Sequence, residues 1–248
     1  MKGLFRKYLG VLWNTAEKPL HQEDTPLNPI VEPPVQGPSS MVKEETGPES
    51  FLRYISCRIY PNAHIEKFPS EEFYVRPFLE DTIIVLVLDY PSSIEHVWRR
   101  FTEKWAIDEQ LLFDRALQNV QERYHRVVQT VEPFKTQGVL TLQGDDAFKT
   151  SALLYIEEYP ALTGVHGALI IFPDKDHLMS MPLSDDIALE IGMQLFVPLV
   201  DSLYQNSEHR LSKHIFWYFD GVFQSIPYVI GINSMNYVLP FDLEDRIY

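Results

Sequence analysis

Two aspartates and a histidine stand within four residues of FPDKDHLMSMP (172–182): Asp174, Asp176 and His177. Carboxylates and an imidazole at this spacing are the donor types of a divalent-cation site or of acid–base chemistry. A second acidic doublet, Asp145–Asp146, opens GDDAFKTSALLYIEEYP. Together these five residues define the chemically ambitious reading, a metal-assisted hydrolase. The competing reading is local. Proline presets φ and aspartate accepts hydrogen bonds from nearby main-chain amides, so PDKD reads as the tip of a hairpin with arms HGALIIF and HLMSM. His177 then opens the second arm. Asp145 and Asp146 stand where a helix cap belongs. A metal site needs three or four converging ligands, and no partner motif accompanies these. The turn reading is preferred. No residue is assigned a catalytic, cofactor-binding or metal-binding role, and no cofactor is expected.

Signature motifs point the same way. The chain has no P-loop, no G-x-S-x-G, no H-E-x-x-H and no G-x-G-x-x-G. Its eight histidines are scattered. His96 and His125 fall in predicted helices, while His166, His177 and His214 open predicted strands. Cys57 is the single cysteine, which excludes an intramolecular disulfide and a cysteine-based zinc site. It alternates with apolar residues in YISCRIY and reads as a small buried side chain, in a chain suited to a reducing compartment.

The elements that carry these residues follow from periodicity. YISCRIYP is a strand closed by Pro61. FYVRPFL, Glu80–Asp81 and TIIVLVLD form a hairpin whose second arm is apolar from Ile83 to Leu88, a central strand covered on both faces. Pro77 places the first arm at an edge or a bulge. Two helices are expected next, Ser92–Lys104 and Asp108–Val127, the second with the face Phe113, Ala116, Leu117, Val120, Tyr124 and Val127. The Arg99–Arg100 doublet on the first reads as a solvated face beside Glu95 and Glu103. GVLTL is a short strand, and the segment after Asp145–Asp146 turns into a helix. Ser184 is the expected cap of a helix lined by Ala188, Ile191, Leu195, Leu199 and Leu203, kinked or divided at Pro198. Finally KHIFWYF, Asp220–Gly221 and VFQSIP make a hairpin on the preferred two-residue turn, with Ile215, Trp217 and Phe219 on one face and Phe216 and Tyr218 on the other.

The whole reads as an α+β fold, a mixed or antiparallel sheet built from hairpins with packed helices, preceded by a disordered linker. Residues 1–14 are a short amphipathic segment, with Phe5, Tyr8, Leu9 and Leu12 at helical spacing and a charge of +3. It is a candidate contact with a partner or, weakly, a membrane. Residues 15–50 hold seven of the eighteen prolines and many acids, a linker too poor in apolar side chains to offset its ordering entropy. Residues 51–248 are one domain carrying 16 basic against 28 acidic residues. Such a body repels phosphate backbones, so nucleic acid is not an expected partner. No apolar run reaches the ~18 residues of a membrane span.

Several blocks resemble the YtpQ-like bacterial family, a domain of unknown function. They are RIYP (58–61), FPSEEFYVRPFLEDTIIVLVLDYP (68–91), IDEQLLFDRALQNV (107–120), GDDAFKTSALL (144–154) and FPDKDHLMS (172–180). Their order matches from Arg58 to Pro227, most clearly in the Ala-Leu-x-Asn of Ala116 to Asn119. The N-terminal 50 residues depart from the family pattern. The resemblance implies a bacterial cytoplasmic protein and supplies no reaction or ligand. The expected function is a non-catalytic interaction or regulatory module with a protein partner, with the metal-assisted hydrolase as the alternative.

Overall fold

The computed structural model describes residues 47–132, 134–231 and 234–247. The chain divides between Glu44 and Glu45, and these residues all belong to the second unit, Glu45–Tyr248. The expected amphipathic segment 1–14 and the linker as far as residue 46 lie outside the described residues. The last linker residues are helical. Pro48 and Glu49 occupy the first turn of helix α1 (Pro48–Tyr54), where a missing amide costs nothing and the macrodipole favours a carboxylate. Phe51 anchors the helix in the core.

The first sheet contains β1 (Ile55–Pro61), β2 (Val75–Pro77), β3 (Thr82–Tyr90) and β4 (Ser93–His96). Strand β3 is central, as its unbroken apolar run requires. It pairs antiparallel with β1 along one edge, and with β2 and then β4 along the other. Pro77 sits on the short edge strand β2. The expected helix Ser92–Lys104 is largely absent. Pro91 and Ser92 form a tight turn that returns the chain as β4, and only Arg99–Thr102 (α2) and the 3₁₀ turn Glu103–Trp105 are helical. The ladder decides this: β2 covers only part of the β3 edge, and β4 pairs the main-chain groups left beyond it. The Arg99–Arg100 doublet is likewise corrected. Arg99 Nε donates to the carbonyls of Ser70 (2.6 Å) and Phe73 (3.0 Å), and its Nη1 bonds Glu109 (2.8 Å). Arg100 is exposed.

Helix α3 (Glu109–Arg123) starts at Asp108, whose side chain accepts from the amides of Gln110 and Leu111. Its last residue is Arg123, four residues before the predicted end, and Val127 is 59% exposed. The buried polar residue on this helix is Asn119, whose Nδ2 donates to the carbonyls of Leu52 (2.9 Å) and Ile55 (2.7 Å). It thereby satisfies acceptors where α1 gives way to β1.

The second sheet is built from β5 (Val128–Thr130), β6 (Leu140–Leu142), β7 (Ala168–Asp174) and β8 (His177–Pro182), followed after helix α4 (Asp186–Asn206) by β9 (Phe216–Phe219) and β10 (Val222–Ser225). Its order is β10-β9-β7-β8-β6-β5, antiparallel throughout. Asp220 and Gly221 both have positive φ, as the two-residue turn of the β9–β10 hairpin demands. A small ribbon, β11 (Tyr228–Ile230) with β12 (Met235–Tyr237), and helix α5 (Phe241–Ile247) close the described chain.

Every residue of β7 is buried. One of its faces, Leu169 and Ile171, packs with Leu189, Met193, Phe196 and Val200 of α4. The contact is close: a Cβ on Gly192 would lie 2.5 Å from Leu169 Cδ1. The predicted face is borne out in part: Leu199 is buried and Ala188, Leu195 and Leu203 pack, partly buried, against the same core, whereas Ile191 is 40% exposed. Glu190, Gln194 and Asp201 mark one exposed side, and the apolar arc that remains is wider than the face that meets the sheet, so periodicity alone does not choose which part of it packs. The cap also moves by one residue, to Asp185, which accepts from Ala188 N–H (2.8 Å). The helix passes through Pro198 as a single element. By length and composition it could cross a membrane, and here it is the helix that covers the central strand of the sheet.

Candidate functional site

The PDKD tip is a turn, tighter than predicted. β7 runs through Pro173 and Asp174, leaving Lys175–Asp176 as the connection. Asp174 closes it. Its Oδ1 accepts from the amides of Asp176 (2.9 Å) and His177 (3.0 Å) and meets His177 Nδ1 at 2.8 Å. Burial pushes the Asp174 carboxyl up, but the His177 ring and the two amides outweigh it, and the group ends below the ordinary carboxylate range. Asp176 is exposed and pairs with Lys175 at 3.1 Å.

The 144–149 turn places the second doublet. Asp145 is exposed. Asp146 accepts from Phe148 N–H (2.8 Å), which begins the 3₁₀ segment Thr150–Glu158 where an α-helix was expected. It also holds Arg126 through two parallel bonds of 2.8 and 2.7 Å. The Arg126 side chain is only 2% exposed. Burial raises the Asp146 carboxyl, yet the guanidinium and the Phe148 amide bring it below its ordinary value. Arg126 Nε and Tyr155 Oη, both buried, have no hydrogen-bond partner among the described residues. Nearby, Lys149 is held down by burial and by the charge of Arg126, against Asp176, Asp146 and Asp145, which act to raise it.

The structure thus brings three of the five candidate residues, Asp145, Asp146 and Asp176, into electrostatic reach of a resident ammonium. The Asp174–His177 pair closes its own turn. Among the described residues no three His, Cys, Asp or Glu side chains are grouped so as to hold a metal ion.

A concave site lies elsewhere. Tyr54, the β3–β4 turn from Asp89 to Ile94, Arg123, Tyr124, Ala147 and Phe148 enclose an open cleft of about 740 Å³. Its walls are two aromatic pairs, Tyr54 with Tyr90 (centroids 5.0 Å apart) and Tyr124 stacked on Phe148 (5.0 Å). At its end Asp89 accepts from Arg123 Nη1 (2.9 Å) and Tyr124 Oη (2.9 Å), and Arg123 also reaches Ser56 Oγ (3.2 Å) and the Arg53 carbonyl. The Tyr124 phenol is pushed well above its ordinary value by burial and by Asp89, so it stays protonated as the donor. This charged pair is neutralised internally, which suits the cleft to contact and orientation rather than proton transfer.

Sequence reasoning missed Arg126, Tyr155 and the Asp89–Arg123–Tyr124 network. The one local signal was Asp89–Tyr90–Pro91, where a buried strand ends abruptly in polar and turn-forming residues. Arg123 and Arg126 fell inside the expected helix Asp108–Val127 and carried no signal of their own. No family model matches the chain, and neither a curated protein nor a solved structure matches it.

Proposed function

We propose that this chain is a non-catalytic recognition module, an acidic α+β body that receives a partner polypeptide at the aromatic cleft. The observation that carries this reading is the use made of the reactive groups. Asp146 and Asp174 spend their lone pairs on main-chain amides and on neighbouring cations, while the concave surface is walled by rings. Cys57 fits the same picture, since burial pushes its thiol up to about 12 and removes it as a nucleophile at neutral pH. The resemblance of the sequence blocks to the YtpQ-like family supports a bacterial cytoplasmic setting, and a lone buried thiol is compatible with it. Nucleic acid is not the partner, because the body carries 28 acids against 16 bases. Residues 1–14 supply an auxiliary contact with the partner or a membrane.

The test compares proteins captured by the full chain with those captured by a Tyr54→Ala/Tyr90→Ala variant. Both rings are partly exposed, so the variant keeps its core. Loss of a captured protein with an unchanged circular dichroism spectrum is expected; identical capture overturns the cleft as the recognition site. Deleting residues 1–14 and measuring capture and vesicle association tests the auxiliary contact separately. A stoichiometric divalent ion in the purified protein, lost in Asp174→Asn, would return the hydrolase alternative to first place.

A further inference from the structure

The β4 edge combines three features. Val97 N–H donates to the Leu86 carbonyl (3.1 Å), so in the antiparallel ladder Val97, Glu95 and Ser93 turn their main-chain groups toward β3. Those of Ile94 therefore turn outward. Among the described residues β4 pairs with β3 alone. Outward amide and carbonyl groups on an edge strand are a template for another extended chain. Ser93 and Ile94 also line the aromatic cleft, beside Tyr54 and Tyr90.

The third feature is Glu95. Its side chain is partly buried and has no hydrogen bond or ion pair among the described residues. Burial holds the carboxyl above its ordinary value, with no cation acting against that shift. The carboxylate is close enough to Tyr90 to join burial in raising that phenol.

We infer that the β4 edge and the adjoining cleft form a docking strip for an extended, basic segment of a partner polypeptide, which adds to β4 as a further strand. This rests on the recognition-module reading and names the chemistry of the partner. A Lys or Arg opposite Glu95 completes a cross-strand ion pair. The excess of 28 acids over 16 bases in residues 51–248 draws basic segments toward the body and repels acidic ones. Short edge strands carrying a charge also deter strand addition. The two roles give opposite results when the Glu95 charge is removed.

The experiment uses the full chain and three labelled seven-residue probes: alternating Arg and Val, alternating Glu and Val, and the Arg/Val sequence with alternate amides N-methylated. Fluorescence anisotropy is expected to show saturable binding of the Arg/Val probe alone. Glu95→Gln, nearly isosteric, is expected to weaken it roughly fivefold, and the bound probe to slow hydrogen exchange of the Ile94 amide. N-methylation alters the probe and not the protein, so its expected loss of binding tests main-chain pairing without risk to the fold. Equal binding of the plain and N-methylated probes overturns strand addition. Equal binding to wild type and Glu95→Gln overturns the charge assignment. Tighter binding or self-association of Glu95→Gln shows a guard against pairing and overturns the docking role. None of these failures touches the cleft substitutions that test the module reading itself.

Discussion

Arg126 keeps its charge in the core because Asp146 meets it with two parallel hydrogen bonds. Breaking such a pair by removing one partner leaves an uncompensated buried charge. Asp146→Ala is therefore expected to destabilise the protein by ~3–5 kcal/mol in urea unfolding. Arg126→Met, which removes the buried charge and fills the space, is expected to cost much less than Asp146→Ala, because it leaves only a partly exposed carboxylate without its cation. The orphaned Tyr155 hydroxyl gives a second residue-level outcome. Tyr155→Phe removes a buried hydroxyl that lies beside Arg126 and Tyr159 without a well-formed hydrogen bond, so stability is expected to stay within ~1 kcal/mol of wild type. Acid sensitivity follows from Asp146 and Asp174, both held below their ordinary values. The unfolded chain binds protons more readily at these two sites, so their contribution is full above the ordinary carboxylate range and is lost as pH falls through the folded values. Unfolding free energy is expected to decline below about pH 4, and Asp174→Asn to flatten that decline.

Elements are terminated in this protein by carboxylates whose positions can be tested. Asp108 caps α3 and Asp185 caps α4 through defined amides. Asp185→Ala is expected to cost ~1 kcal/mol, read as a lower urea midpoint with unchanged slope, whereas Ser184→Ala leaves the midpoint nearly in place. The reverse ranking would return the cap to Ser184, where the serine-then-acid pattern of the sequence put it. Most elements were legible because their signals are local. The Asp-Gly turn, the proline on an edge strand and the apolar run of β3 each report a constraint felt within a few residues. β4 was not legible. Ser93–His96 is a strand because the adjoining end of β3, Val87 to Tyr90, offers main-chain groups that need partners, a demand that the helix-like side-chain pattern after Pro91 does not register.

At the scale of the molecule, the two sheets are tied where the β2–β3 turn meets the start of β9. Asp81 accepts from buried Ser212 Oγ (2.8 Å), His214 lies 3.4 Å from Glu80 and 3.7 Å from Asp81, and Ser225 Oγ bonds Glu80. Ser151 Oγ adds a bond to the Cys57 carbonyl (3.0 Å) on the β1 strand. Asp81→Ala leaves the Ser212 hydroxyl buried without its acceptor and is expected to cost ~1–3 kcal/mol. Because the tie spans both sheets, urea unfolding followed by far-ultraviolet dichroism is expected to be a single transition in wild type. Two successive transitions in that signal would show the sheets to be independent.

Acting alone, the sequence determined the α+β class, the hairpins and the local role of the turn aspartates, since each depends on neighbours a few residues away. It had no means of specifying that Arg126 would be buried on Asp146, that Asp89 would gather Arg123 and Tyr124, or which part of the wide apolar arc of α4 would face β7. Those outcomes join residues tens of positions apart, and only the packed chain sets which charges lose water together and which surface stays open as a cleft.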